Sequence, residues 1–341
     1  MTPPATNRRD GVRKNIVPML ALLLATPFSL AVAQGAGGEA VKVALVKMPY
    51  SGSRNVPELS VVPDYLEDGG IADVLRGMGV ALEPITTVAL TAEDEREYGE
   101  WHRLGLANGH LAEIVAERAR AGDLPVGLLA NCASLMGMLG GLQHAGPTDR
   151  PLRVGLVWID AHGDFNTPET TLSGMLGGMP VAISAGLALQ RLRKESGLDP
   201  ALRTEDIVMV GVRDLDPLER ELVERHGIAR LSVDDVRRRS ERLHAEMRRL
   251  SQLTDIIYIH VDMDVLDSVE VSGSAFPVAD GPTSEELAAA LTEMFRYEKA
   301  AALGIASTPA GARDPDGVSR QAAYRLIVGA VEGLGSRGRG G

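Results

Sequence analysis

From about residue 40 onward, short apolar runs alternate with longer amphipathic stretches. Runs at 41–48, 124–131, 154–160, 207–211, 256–262 and 301–305 read as strands, and weaker ones lie near 84–88 and 229–233. Between them, apolar residues recur at helical spacing over 104–119, 217–226, 235–250, 284–295 and 320–332. Thr283, Ser284, Glu285 and Glu286 open one of these stretches with a capping residue and an acidic first turn. Continuous apolar strands separated by helices imply a mostly parallel sheet covered on both faces, an α/β fold. Neither an internal repeat nor a linker interrupts the pattern, so one α/β domain over 40–335 followed by a disordered tail, 336–341, is expected.

The first 33 residues are of another kind. Arg8, Arg9, Arg13 and Lys14 precede an uncharged stretch that closes on Ala31, Val32 and Ala33. A basic start, an apolar middle and an A-x-A end form a signal peptide, 1–33, cleaved before Gln34. The other reading, a membrane anchor, is opposed by Pro18 and Pro27, which interrupt a stretch barely long enough to span a bilayer. Export to the periplasm or medium by the general secretory route or, through Arg8–Arg9, by the twin-arginine route is expected. After cleavage no membrane segment remains.

Across its 341 residues the chain is 45% hydrophobic and only 4% aromatic, so its core must be built from aliphatic side chains. The formal charge of −11 argues against a nucleic-acid partner, which needs a basic face. The single cysteine, Cys132, excludes an internal disulfide.

Candidate chemistry gathers where two apolar runs end. The first ends in Asp160, His162 and Asp164, and the second in Asp262 and Asp264, with His260 one step earlier. Spacing of two on extended backbone directs side chains to one face. Carboxylates held that close repel one another unless a cation lies between them. Either cluster alone fits a helix cap or a surface ion pair. Together, at the ends of neighbouring strands, they offer ligands for two divalent metal ions, with Mn2+ first and Zn2+, Fe2+ or Ni2+ behind it. His260 is open to two readings, a partner that orients Asp262 and a core histidine.

The segments DAHGDFNTPETT, 160–171, and HVDMDVLD, 260–267, resemble those of the ureohydrolases, the family of arginase and agmatinase. The resemblance implies a three-layer α/β/α fold with a parallel sheet of about eight strands. It implies a dinuclear manganese site whose bridging hydroxide cleaves a C–N bond of a guanidino or amidino compound. Asp160 and Asp262 would bridge both ions, Asp164 would serve one, and His162 and Asp264 the other. Asn166 and Ser173 would hold a substrate carboxylate, and Asp216 and Glu219 its amino group. On local grounds Asp216 reads equally well as the N-cap of a helix beginning at Pro217. Trimers or hexamers are the assemblies the resemblance suggests.

Three departures bear on function. Cys132 stands at or beside the family's remaining histidine ligand, where a thiolate would favour Zn2+, Fe2+ or Ni2+; the alternative is a small buried apolar residue. Gly177 stands where arginases carry a proton-transferring histidine. The segment from Gly304 to Pro309 lacks the carboxylate that receives a guanidinium, so L-arginine is not the expected substrate. A catalytically inactive metal-binding protein of the same fold is the alternative. A deacylase, which shares strand-end D-x-H motifs but uses one zinc, fits the second D-x-D less well.

Overall fold

The computed structural model describes residues 40–52 and 57–337; the signal-peptide reading of 1–33 lies outside them. The apolar runs become nine strands: β1 (Lys42–Met48), β2 (Ala81–Leu82), β3 (Thr86–Thr87), β4 (Leu124–Leu129), β5 (Val154–Ile159), β6 (Ile207–Val210), β7 (Ala229–Leu231), β8 (Ile256–Asp262) and β9 (Ala300–Ala306). Every pairing is parallel, in the order β2-β1-β4-β9-β8-β5-β6-β7, with β3 also on β1. The count exceeds the expected eight because the edge beside β1 is shared by two very short strands.

Alternation along β5 shows why both faces need cover. Val157 and Ile159 enter one apolar core, while Val154, Leu156 and Trp158 enter the other. Helices Ser284–Phe295 and Val318–Gly335 close the first face, and Glu100–Arg120 and Leu135–Gln143 the second, giving three layers. Among the described residues no helix is long and apolar enough to cross a membrane.

Two local differences from the sequence reading have clear causes. The expected helix over 235–250 is two helices, Val233–Arg238 and Glu241–Leu253. Arg239 adopts φ of 47°, and the Ser240 side chain then caps the second helix by accepting from the Leu243 amide. Helix Leu135–Gln143 was not expected at all; its nine residues are all buried, so it has no polar face to reveal a period. Its glycines admit close neighbours: a Cβ on Gly141 would lie 2.6 Å from the Ala112 carbonyl. At the carboxyl end, where a tail was expected from 336, Arg337 still donates to the carbonyls of Phe295 and Tyr297 at 2.8 and 2.7 Å.

The topology places the site. After β4 the chain skips two positions to lay down β5, builds outward to β7, and returns to fill the gap with β8 and β9. The carboxyl ends of β4, β9, β8 and β5 therefore stand side by side at the switch point, where a crevice opens in such sheets.

Candidate metal centre

Each of these four strand ends delivers a polar side chain. Beyond β5 the Asp160 amide still bonds the Val210 carbonyl, and the Asp160 carboxylate accepts the His162 amide at 2.7 Å. The spacing-of-two argument holds from Asp160 to His162, which is bridged to Asp214 in parallel register, but fails for the third residue. Asp164 has φ of 46°, a left-handed conformation that aspartate tolerates better than most residues, and reaches the site by turning back. Asp264 likewise lies in a 3-10 turn, Met263–Val265, capped by the Asp262 side chain, rather than on extended strand. Beyond β4, Asn131 caps the turn Cys132–Ser134 and ties it to the Ser51 carbonyl at 2.8 Å. Ser307, beyond β9, has φ of 58°.

Two donor clusters result. Ligand atoms of Cys132, Asp160 and Asp164 lie within 4.8 Å of one another, as do those of Asp160, His162 and Asp264. Asp160 belongs to both. Asp262, which the resemblance makes a second bridge, belongs to neither. Its Oδ1 accepts the Asp264 amide at 3.0 Å, and its Oδ2 accepts the Ser307 hydroxyl and the Cys132 thiol, each at 2.7 Å.

Burial and mutual repulsion set the charge state of this assembly. Burial, reinforced by Asp264, Asp164 and Asp262, pushes Asp160 well above the usual carboxylate range. Burial and Asp262 do the same to Asp164, and burial and Asp264 push Asp262 up to about 7. Burial opposes charge on His162, yet Asp160 and Asp264 hold it up to about 12. Asp264 is only 8% exposed, and its Oδ1 has no hydrogen-bond partner. An orphaned buried carboxylate oxygen among repelling acids fits a bound cation, and O, N and S donors suit divalent ions.

Of its two expected readings His260 takes the core one, being fully buried with both ring nitrogens engaged. It does not touch Asp262: Nε2 faces the Cys132 sulfur at 3.3 Å, Nδ1 faces the Tyr258 hydroxyl at 2.8 Å, and Trp158 stacks on the ring at 4.6 Å. Burial pushes His260 down to about 3 and Cys132 well up.

All the metal-ligand and substrate residues expected from sequence line one cavity of about 570 Å³, and His260 lies behind Cys132, outside its lining. Asn166 donates to Asp216 at 3.1 Å, and Ser173 lies in an exposed loop bonded to the Met175 amide. Glu219 is largely committed to structure, accepting from the amides of Phe165 and Asp216 at 2.8 and 3.2 Å, the second of these closing a capping box. Sequence reasoning missed Ser307 and Phe276, which also line the cavity. Ser307 carried a usable signal, since it directly follows an apolar strand as the aspartates do. Phe276, packed edge-on to His162 at 6.4 Å, sits in a loop with no pattern.

A parallel sheet with this donor-lined cavity at its switch point defines an α/β protein with a candidate metal centre. The arginase family model matches residues 43–328, and the chain belongs to that family. It is 29% identical over 230 residues to an arginase of Brevibacillus brevis, covering 66% of this chain and 76% of that one. With an arginase of Eremothecium gossypii it shares 30% over 261 residues, covering 73% and 64%. Among solved structures, Entamoeba histolytica arginase in complex with L-ornithine aligns with a TM-score of 0.73 at 25% identity, covering 85% of this chain and 98% of that one. Bacillus subtilis arginase aligns at 0.74 and 22%, with the same coverage.

Proposed function

We propose that the chain is a dinuclear metal-dependent hydrolase that cleaves a C–N bond in a guanidino or amidino small molecule other than L-arginine. The observation that carries this reading is Asp160, shared by two donor clusters on the wall of one cavity. Cys132, Asp160 and Asp164 would hold one divalent ion and Asp160, His162 and Asp264 the other, with Asp262 beside the first. A bound pair of divalent ions supplies an acidified water as nucleophile near neutral pH. Asn166, Ser173 and Asp216 line the same cavity and would orient a substrate. The exclusion of arginine rests on Ser307, Thr308 and Pro309, which line the cavity without offering a carboxylate for a guanidinium.

A second reading, a metal-binding protein without turnover, is favoured by one observation. Gly177 and Gly178 leave open space on the cavity wall, with no side chain there to move a proton. A screen for urea or ammonia release from guanidines and amidines by metal-reconstituted protein separates the two. Turnover of any of them supports the hydrolase. Bound metal without turnover selects the second reading, and efficient conversion of L-arginine refutes the exclusion. Export through cleavage before Gln34 belongs to the same proposal and rests on the N-terminal sequence; N-terminal sequencing of secreted protein tests it.

A further inference from the structure

We infer that the two cation positions are chemically unequal. The position of Cys132, Asp160 and Asp164 is a sulfur-donor site, tuned by His260 and Tyr258, that takes a borderline-soft ion such as Zn2+ or Co2+. The position of Asp160, His162 and Asp264 has only oxygen and nitrogen donors and takes Mn2+. This deepens the dinuclear reading and rests on it.

A cysteine serving only as a small apolar filler has no reason to aim its sulfur at charged groups. Cys132 is 3% exposed, yet its Sγ lies among ligand atoms of Asp160 and Asp164 and against Asp262. The orphaned Oδ1 of Asp264 points to a cation at the neighbouring position of Asp160, His162 and Asp264, which shares Asp160 with the sulfur-donor position.

The hydrogen-bond directions follow from counting protons. The Cys132 thiol donates its one proton to Asp262, so the contact between His260 Nε2 and sulfur must use a proton carried by the ring. With Nε2 protonated and the ring neutral, Nδ1 is bare and accepts from the Tyr258 hydroxyl at 2.8 Å. Trp158, stacked within 11° of parallel, fixes the plane of the imidazole. Gly304, paired with His260 across the sheet, leaves the space for the phenol oxygen, since a Cβ there would lie 2.0 Å from it. The chain Tyr258–His260 thus presents a fixed, uncharged N–H to the sulfur. A bound ion would displace the thiol proton to solvent, leaving Cys132 to ligate as the thiolate, and the His260 Nε2–H would then donate to the anionic sulfur without adding a charge to the cavity. Tyr258 and His260 are positioning residues.

Cobalt tests this optically. The full chain, stripped by chelator and reloaded with Co2+ alone, is expected to bind two equivalents and show a sulfur-to-cobalt charge-transfer band in the near ultraviolet. Cys132→Ser loses the band. Tyr258→Phe keeps two equivalents but moves the band to longer wavelength, because the freed ring no longer fixes its N–H on the sulfur. Zinc titrated into the Mn2+-loaded chain displaces one equivalent of manganese at a concentration about ten-fold or more below the second. In Cys132→Ser that gap closes. Two bound cobalt ions without the band, or both manganese ions leaving together, overturn the inference while leaving a dinuclear site intact. An unmoved band in Tyr258→Phe removes the tuning pair. A chain that binds no cobalt overturns the dinuclear reading as well.

Discussion

Gly304→Ala offers a direct test of how the buried Tyr258–His260–Cys132 chain is accommodated. The added Cβ would stand 2.0 Å from the Tyr258 hydroxyl and 3.0 Å from a Leu129 methyl. Tyr258 is fully buried, so the rigid ring must shift by about an ångström within a close-packed core. Overpacking of this kind costs about 1–3 kcal/mol. Displacing the hydroxyl also leaves it and His260 Nδ1 without each other, a further 1–3 kcal/mol or so for a buried unpaired group. Gly304→Ala should therefore destabilise the fold by roughly 2–6 kcal/mol. Tyr258→Phe removes the offending oxygen and leaves the nearest ring carbon at 3.1 Å, a tight but tolerable contact. Urea unfolding of the wild type, both single variants and the double variant forms a cycle. Gly304→Ala should cost about 1–3 kcal/mol less in the Tyr258→Phe background. Strictly additive costs would refute the reasoning.

Stripped of cations, the folded chain retains protons on Asp160, Asp164 and Asp262 that an unfolded chain has released above their ordinary pKa of 3.8. That stabilisation is lost as pH rises through the value of about 7 for Asp262; His162, held at about 12, pulls the same way above its ordinary 6.5. His260, pushed down to about 3, opposes them chiefly below its ordinary 6.5. The urea midpoint of the stripped protein should accordingly fall between about pH 6.5 and 8, while the loaded protein changes less; a rising midpoint contradicts this. Gly177→His meets no atom within 4 Å of its Cβ and should fold normally; on any substrate found it should raise kcat, by up to about 10²-fold if it restores proton transfer, and unchanged kcat would show that the missing proton carrier is not limiting. Glu219→Ala removes the acceptor of the buried Phe165 amide and should cost about 1–3 kcal/mol in urea unfolding, whereas a near-neutral effect would show that the amide finds another partner.

The sheet was legible because β4, β5 and β6 are buried on both faces and so are apolar at every position. The five acid and histidine donors were legible because they interrupt such runs at their ends. How Asp164 and Asp264 reach the site was not, since a left-handed residue and a 3-10 turn leave no periodic trace. Helix Leu135–Gln143 escaped for the opposite reason, being apolar on every side. The partner of His260 was also hidden. Alternation puts His260 and Asp262 on one face, yet its contacts are with Cys132 from β4's end and Tyr258 two residues back. Only the crossover order of the strands brings these groups together.

The central claim is that one carboxylate, Asp160, serves two cations. Elemental analysis of purified protein beside Asp160→Asn tests it most directly, because loss of a charged oxygen ligand should empty both positions while relieving repulsion in the empty fold. The account predicts two divalent ions per wild-type chain and none in a folded Asp160→Asn variant. A wild-type chain with one ion or none, or a variant that retains both, would contradict it.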